Sequence, residues 1–192
     1  MSSFPIHLLR HTQVDAPGPC YGHHDVALAN TFETEAAAVR ARLPLAADGL
    51  APRLFSSPAT RCVRLADALG LGPATFDERL REMHFGAWEG RPWAALPPAE
   101  LDPWMADYAA IAPPAGETFG QLHDRAAAFL ATLETLDAPA VVVSHGGTVR
   151  ALLCHCLGMP LRNAFQVSID FGTRTTVQRQ HGRWNVLAVN AH

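Results

Sequence analysis

The sequence contains no lysine; all 15 of its Lys-plus-Arg residues are arginines. That excludes a Schiff-base lysine and the lysine of a Walker-type phosphate loop. Cys20, Cys62, Cys154 and Cys156 include no CxxC pair, and no HExxH occurs among the 10 histidines, so no metal site is expected. Cys154 and Cys156 stand two apart in a helical pattern and face different ways. Free buried thiols in a reducing compartment are the simple reading. No apolar run approaches a membrane span in length, and MSSFPIHLLR has too short an apolar core for an export signal. A formal net charge of -3 gives no attraction to nucleic acid or an anionic membrane. A soluble, cytoplasmic chain is therefore expected.

What is present suits one domain spanning residues 1–192, with 48% hydrophobic content to fill a core. IHLLR (6–10) and RLFSS (53–57) read as short strands, and AVVVS (140–144) as a central strand buried on both faces. NTFETEAAAVRARL reads as a helix opened by an Asn30–Glu33 capping box. Ser57 caps a second helix that starts at Pro58 and stops at Gly70. Thr118 and Gln121 open a helix to about Leu136, and GGTVRALLCHCLG forms one ending at Gly158. FQVSID reads as a further strand, and TRTTVQRQHGRWNVLAVN as a hairpin turning at His181-Gly182. Between about 79 and 116, tryptophans and prolines with broken helical periodicity read as an insertion of short helices over one end of the domain. Strands alternating with helices predict an α/β fold of three layers, with a mostly parallel central sheet and helices on both faces.

Open α/β sheets bind ligands beyond the carboxyl ends of their strands. Three predicted strand ends carry groups that an apolar core does not need: Arg10-His11, Arg61 in SSPATR, and His145 in SHGG. Singly, each is an ordinary polar end; Arg61 in a first helical turn even opposes the macrodipole preference. Converging in one crevice, they are suited to phosphate. Arginine forks match phosphate oxygens and stay charged. A neutral imidazole can attack phosphorus, and a second imidazolium opposite can stabilise the transferring charge. Glu82, in REMHFGAWEG, is a candidate acid for the leaving alcohol, because partial enclosure favours a carboxyl that keeps its proton.

LLRHT, SSPATR, REMHFGAWEG, GET (116–118) and VVVSHGG occur in that order, and the series resembles that of the histidine phosphatase superfamily, the phosphoglycerate-mutase-like fold. The resemblance implies that His11 is the phosphorylated nucleophile and Glu82 the proton donor and later base. It implies phosphate binding by Arg10 and Arg61, with His145 as the second pocket histidine, and neither metal nor cofactor. CYGHHDVAL, FGAWEGRPWAAL and DPWMADY resemble the α-ribazole phosphatase branch, which implies removal of a 5′-phosphate in cobalamin assembly. A broad-specificity phosphatase or a mutase-like enzyme is the alternative; a non-catalytic phosphate- or protein-binding module is a third. Family likeness and the edge left by the C-terminal strands allow a homodimer.

The chain departs from the commoner pattern at three positions. Thr12 and Gln13 follow His11 where Gly and Glu are usual, and Pro17 replaces a frequent Asn. The Thr12 hydroxyl is a candidate phosphate contact, and Tyr21, Gly22 and Gly146 are candidate substrate contacts. Trp88, Trp93 and Trp104 either pack the insertion as its core or form a stacking wall for a base, with core the favoured reading. His7 is expected to be packed or at an edge, and His23 and His24 to lie in a loop.

Overall fold

The computed structural model describes residues 4–44 and 50–192; residues 1–3, part of the stretch read for an export signal, lie outside it. Six strands form one sheet: β1 (Pro5–Arg10), β2 (Arg53–Ser56), β3 (Thr75–Phe76), β4 (Ala140–Ser144), β5 (Arg174–Gln180) and β6 (Arg183–Ala191), in the order β3-β2-β4-β1-β5-β6. The four strands β3, β2, β4 and β1 run parallel; β5 and β6 are added antiparallel.

Period-2 alternation sends side chains of one strand to opposite faces, and that builds the layers. Ile6, Leu8, Ala140 and Val142 pack with α4 (Phe119–Leu133) and α5 (Gly146–Leu157) through Leu122, Phe129, Ala151 and Leu152. Leu9, Leu54, Val141 and Val143 pack on the other face with α1 (Phe32–Arg42) and α2 (Thr60–Leu69) through Phe32, Val39, Cys62 and Leu65. Every residue of β4 is buried, as its unbroken β-branched run predicts. Gly70 and Gly158 end α2 and α5 in the left-handed conformation, and His181-Gly182 turns the hairpin with both φ angles positive. The Thr118–Gln121 capping box forms as read.

Four local expectations are corrected. Asn30 and Glu33 form no box; Thr31 occupies the cap, and its hydroxyl donates to Glu35 Oε1 one turn on. The second helix begins at Thr60 rather than Pro58, with Ala59 as cap, because Ser57 turns toward the crevice while accepting from Ala59 N. The helix read to Leu136 ends at Leu133. FQVSID is no strand: after Pro160, residues Leu161–Gln166 wind as a 3-10 turn, followed by irregular chain to Thr173.

The insertion consists of short 3-10 turns (Gly86–Trp88, Trp93–Ala95) and α3 (Pro98–Ala106). Trp88 and Trp104 are buried with ring centroids 5.6 Å apart, and the Trp88 indole N–H donates to Glu100. These two are the core that the sequence favoured; Trp93 is only partly buried. Among the described residues no helix is long and apolar enough to cross a membrane. All four cysteines are free, and Cys20, Cys62 and Cys154 are buried.

His7 is packed inside the sheet, sharing a hydrogen bond with Thr176 Oγ1. Burial, reinforced by the Arg174 charge, lowers its pKa from 6.5 to about 4. Between those values the unfolded chain binds a proton that the folded chain refuses, so stability is full above about pH 6.5 and is lost as pH falls toward 4. Thermal unfolding scans should therefore show Tm falling from pH 7 to pH 4.5, less steeply in His7→Gln than in the wild type.

Candidate active site

The parallel register brings three strand ends level. Arg10 stands opposite Ser144, His11 N donates to the Ser144 carbonyl, and Ser57 N donates to the Val143 carbonyl. The residues after β1, β2 and β4 therefore open into one crevice beyond the carboxyl edge of the sheet. Here the His11 and His145 rings meet with centroids 5.3 Å apart at 69°, both buried.

His11 Nδ1 lies 2.7 Å from the Thr12 carbonyl. A carbonyl only accepts, so Nδ1 carries the proton and Nε2 of the neutral ring bears the lone pair. Burial first, then the Arg61 charge, push the His11 pKa well below its usual value, which favours the neutral ring. His145 is lowered by the same two causes and by His11. Both causes act against the imidazolium form in the free protein, and the His145 Nε2 shares a 2.8 Å hydrogen bond with Ser57 Oγ. Cys62 packs beside it with its thiol pushed up to about 12 by burial; such a thiol stays protonated and unreactive.

Two guanidinium groups flank the rings. Arg61, fully buried on the first turn of α2, donates to the carbonyls of Gly22 (2.6 Å) and His24 (3.3 Å). Arg10 donates to the Ile169 carbonyl at 2.6 Å and lies 3.6 Å over the Phe171 ring. Arg10 Nε, Arg61 Nε and Thr12 Oγ1 are buried with no hydrogen-bond partner among the described residues. Native interiors seldom leave such atoms unpaired. Three donors orphaned around one nucleophilic ring indicate a site built for an oxyanion.

Glu82 reaches this crevice from the start of the insertion. Its oxygens accept from the backbone N–H groups of Met83 (2.9 Å) and Gly147 (3.0 Å). A Cβ on Gly147 would lie 2.2 Å from Glu82 Oε1, so glycine is needed for this approach. Below it, Arg125 donates to the carbonyls of Arg79, Arg81 and Glu82 and pairs with Glu117, which also accepts from His84 N. The GET segment therefore fixes the loop that carries the carboxylate.

The other named residues separate. Arg10, His11, Tyr21, Glu82 and Gly146 line one cavity of about 160 Å³, and the Thr12 side chain is buried beside them. Gly22 does not line it; a Cβ there would strike the Met83 carbonyl at 1.8 Å, and the residue acts by holding Arg61. Gln13 turns outward, its N–H donating to Glu35, and with Pro17 lines a neighbouring open cleft. His23 and His24 donate their backbone N–H groups to Glu89. The sequence reading missed Ser57 as the partner of His145, and Arg150, Phe119 and Phe165 in the cavity wall. Arg150 alone had a signal: four residues after Gly146 on a helix, it shares that residue's face.

The sequence model of the histidine phosphatase superfamily (branch 1) matches residues 6–192. A glucosyl-3-phosphoglycerate phosphatase from Mycolicibacterium vanbaalenii is 34% identical over 178 residues, covering 81% of this chain and 75% of that protein. The adenosylcobalamin/α-ribazole phosphatase of Escherichia coli is 30% identical over 123 residues, 62% of this chain and 56% of that one. Among solved structures, a native mycobacterial glucosyl-3-phosphoglycerate phosphatase superposes with a TM-score of 0.84 at 28% identity, over 98% of this chain and 99% of that one. A family match running almost end to end, on a fold of this topology, is decisive: the chain belongs to the histidine phosphatase superfamily, branch 1.

Proposed function

We propose that the protein hydrolyses a phosphomonoester through a phosphohistidine. The observation that carries this is His11 itself: a buried neutral ring with Nδ1–H tied to the Thr12 carbonyl, so that its lone pair sits on Nε2. Nε2 attacks phosphorus as the bond to the leaving oxygen breaks. The phosphoryl oxygens take the unpaired donors of Arg10, Arg61 and Thr12. Glu82, in its protonated form, gives its proton to the leaving alcohol. It then takes a proton from the water that attacks the phosphohistidine, which frees phosphate and restores His11. His145 stands across the attacking ring, fixed by Ser57, as a hydrogen-bonding partner of the transferring group. The route uses neither metal nor cofactor.

For the substrate, we favour α-ribazole 5′-phosphate. Its support is the motif likeness carried by CYGHHDVAL, FGAWEGRPWAAL and DPWMADY, together with the likeness to the E. coli phosphatase. The glucosyl-3-phosphoglycerate phosphatases supply the competing substrate. Steady-state kinetics on both, with sugar phosphates and nucleoside monophosphates alongside, decide between them. The reading expects kcat/KM for α-ribazole 5′-phosphate to exceed the others by at least about tenfold, the difference that 1.4 kcal/mol of transition-state binding gives. Equal rates remove the α-ribazole assignment and leave the phosphatase standing.

A further inference from the structure

The cavity that holds Arg10, His11 and Glu82 has a second set of walls: Met83, Phe85, Trp93, Phe119, Phe165 and Arg150. We propose that these walls form an aromatic leaving-group subsite, which selects phosphomonoesters carrying a flat apolar ring, with Trp93 and Phe165 as its specificity-determining side chains. The proposal rests on the phosphatase reading for the direction in which the leaving group points.

That direction follows from the proton donor. A leaving oxygen protonated by Glu82 must sit beside its carboxyl group, and the chain leads from Glu82 directly to Met83 and Phe85 in the wall. The carbon skeleton attached to that oxygen therefore meets thioether and aromatic surface first. Phe85 is edge-on to Trp93 with centroids 5.5 Å apart, and Trp93 leans on Trp104 at 5.9 Å. Phe165 is braced edge-on by Tyr108 at 4.8 Å and lies 5.8 Å from Phe119, yet it stays 52% exposed. A braced aromatic ring left half-exposed at a cavity is a surface waiting for an apolar partner.

The polar chemistry of these walls is sparse. Among the described residues, Glu82 is the only carboxylate lining the cavity, and no Asn or Gln lines it. Arg150 is the one cation among the second set of walls; its Nε donates to the Val167 carbonyl, and its guanidinium stands 5.2 Å over the Phe165 ring. Held there, it offers a planar cationic face to a ring in the subsite. The whole cavity, phosphoryl position included, is about 160 Å³ and opens to solvent, so a ring attached to the phosphate lies along the half-exposed Phe165 at the mouth rather than wholly inside.

The test compares 2-(1-naphthyl)ethyl phosphate, ethyl phosphate, glucose 6-phosphate and 3-phosphoglycerate, all esters of alkyl alcohols, on the wild type and on Phe165→Ala, Trp93→Ala and Trp93→Phe. The naphthylethyl ester is expected to lead in kcat/KM by about tenfold or more. Its advantage over ethyl phosphate should fall about 3- to 10-fold in Phe165→Ala, the range of one aromatic contact, and recover in Trp93→Phe relative to Trp93→Ala. Phe165 is half-exposed, so its variant keeps the test alive if Trp93→Ala fails to fold. Equal kcat/KM for naphthylethyl and ethyl phosphate overturns the proposal. So does a lead for 3-phosphoglycerate that disappears in Arg150→Gln, which would make the wall a carboxylate site. If no ester is hydrolysed, the phosphatase reading fails separately. Calorimetric binding of the two corresponding phosphonates then decides the subsite: tighter naphthylethyl binding supports it, and equal binding overturns it.

Discussion

His11→Ala should abolish turnover of every phosphomonoester, lowering kcat by about 10⁵- to 10⁶-fold, the loss seen when a covalent catalyst is deprived of its nucleophile. The scale follows from the division of labour. Attack by Nε2 replaces one displacement by water with two easier steps, and the other groups at the site act on whatever nucleophile is bound there. His11 is held between the Thr12 carbonyl and the Phe171 and His145 rings. The variant loses those contacts, yet Arg10, Arg61 and the His145–Ser57 pair have partners that do not depend on it. Inorganic phosphate binding, measured by calorimetry, should therefore persist within about tenfold of the wild type while stopped-flow turnover vanishes. A loss of binding matching the loss of turnover would mean that His11 builds the anion site rather than attacking within it.

Glu82→Gln carries the second large effect and separates the two half-reactions. For an alkyl phosphate, whose leaving group needs a proton, kcat should fall about 10²- to 10⁴-fold. For p-nitrophenyl phosphate the leaving phenolate needs none, so the first step stays fast. The second step, which needs a base for water, slows. Pre-steady-state kinetics should then show a burst of about one p-nitrophenol per site, followed by a slow phase as the phosphoenzyme accumulates. Glutamine keeps an oxygen to accept from the Met83 or Gly147 N–H groups, so the loop should stay in place. Equal slowing for both leaving groups, with no burst, would assign Glu82 a structural role.

The anion-binding half of the site was legible because it is local. Arg10-His11, Arg61 and His145 each follow a strand visible from its apolar pattern, and parallel pairing of those strands brings them level. The acid half depends on partners spread through the chain. Glu82 is set by Gly147, Arg125 and Glu117, which lie 35 to 65 residues away, a distance over which spacing carries no directional information. Thr12 and Gln13 are adjacent departures from the common motif, and only Thr12 had a hydroxyl that suggested a phosphate contact. The strand end turns Thr12 inward with its hydroxyl unpaired, and Gln13 outward to Glu35.

The tryptophans show the same limit. Trp88, Trp93 and Trp104 share one segment and one composition, and only the packing of the insertion separates two core rings from the one that reaches the cavity. Phe165 was hidden by a misread element: an apolar run with strand-like residues becomes a 3-10 turn after Pro160 and carries the ring to the crevice. The two-residue β3 is too short for any periodicity to register.

The central claim is a covalent phosphoenzyme on one named nitrogen, and trapping it is the direct measurement. Wild-type protein mixed with a ³²P-labelled phosphomonoester, quenched within milliseconds in base and digested, should yield label that survives alkali and is released by acid. Mass spectrometry should place it on the peptide containing His11. Label on any other residue, or full turnover with no trapped label under conditions that slow the second step in Glu82→Gln, would contradict the account.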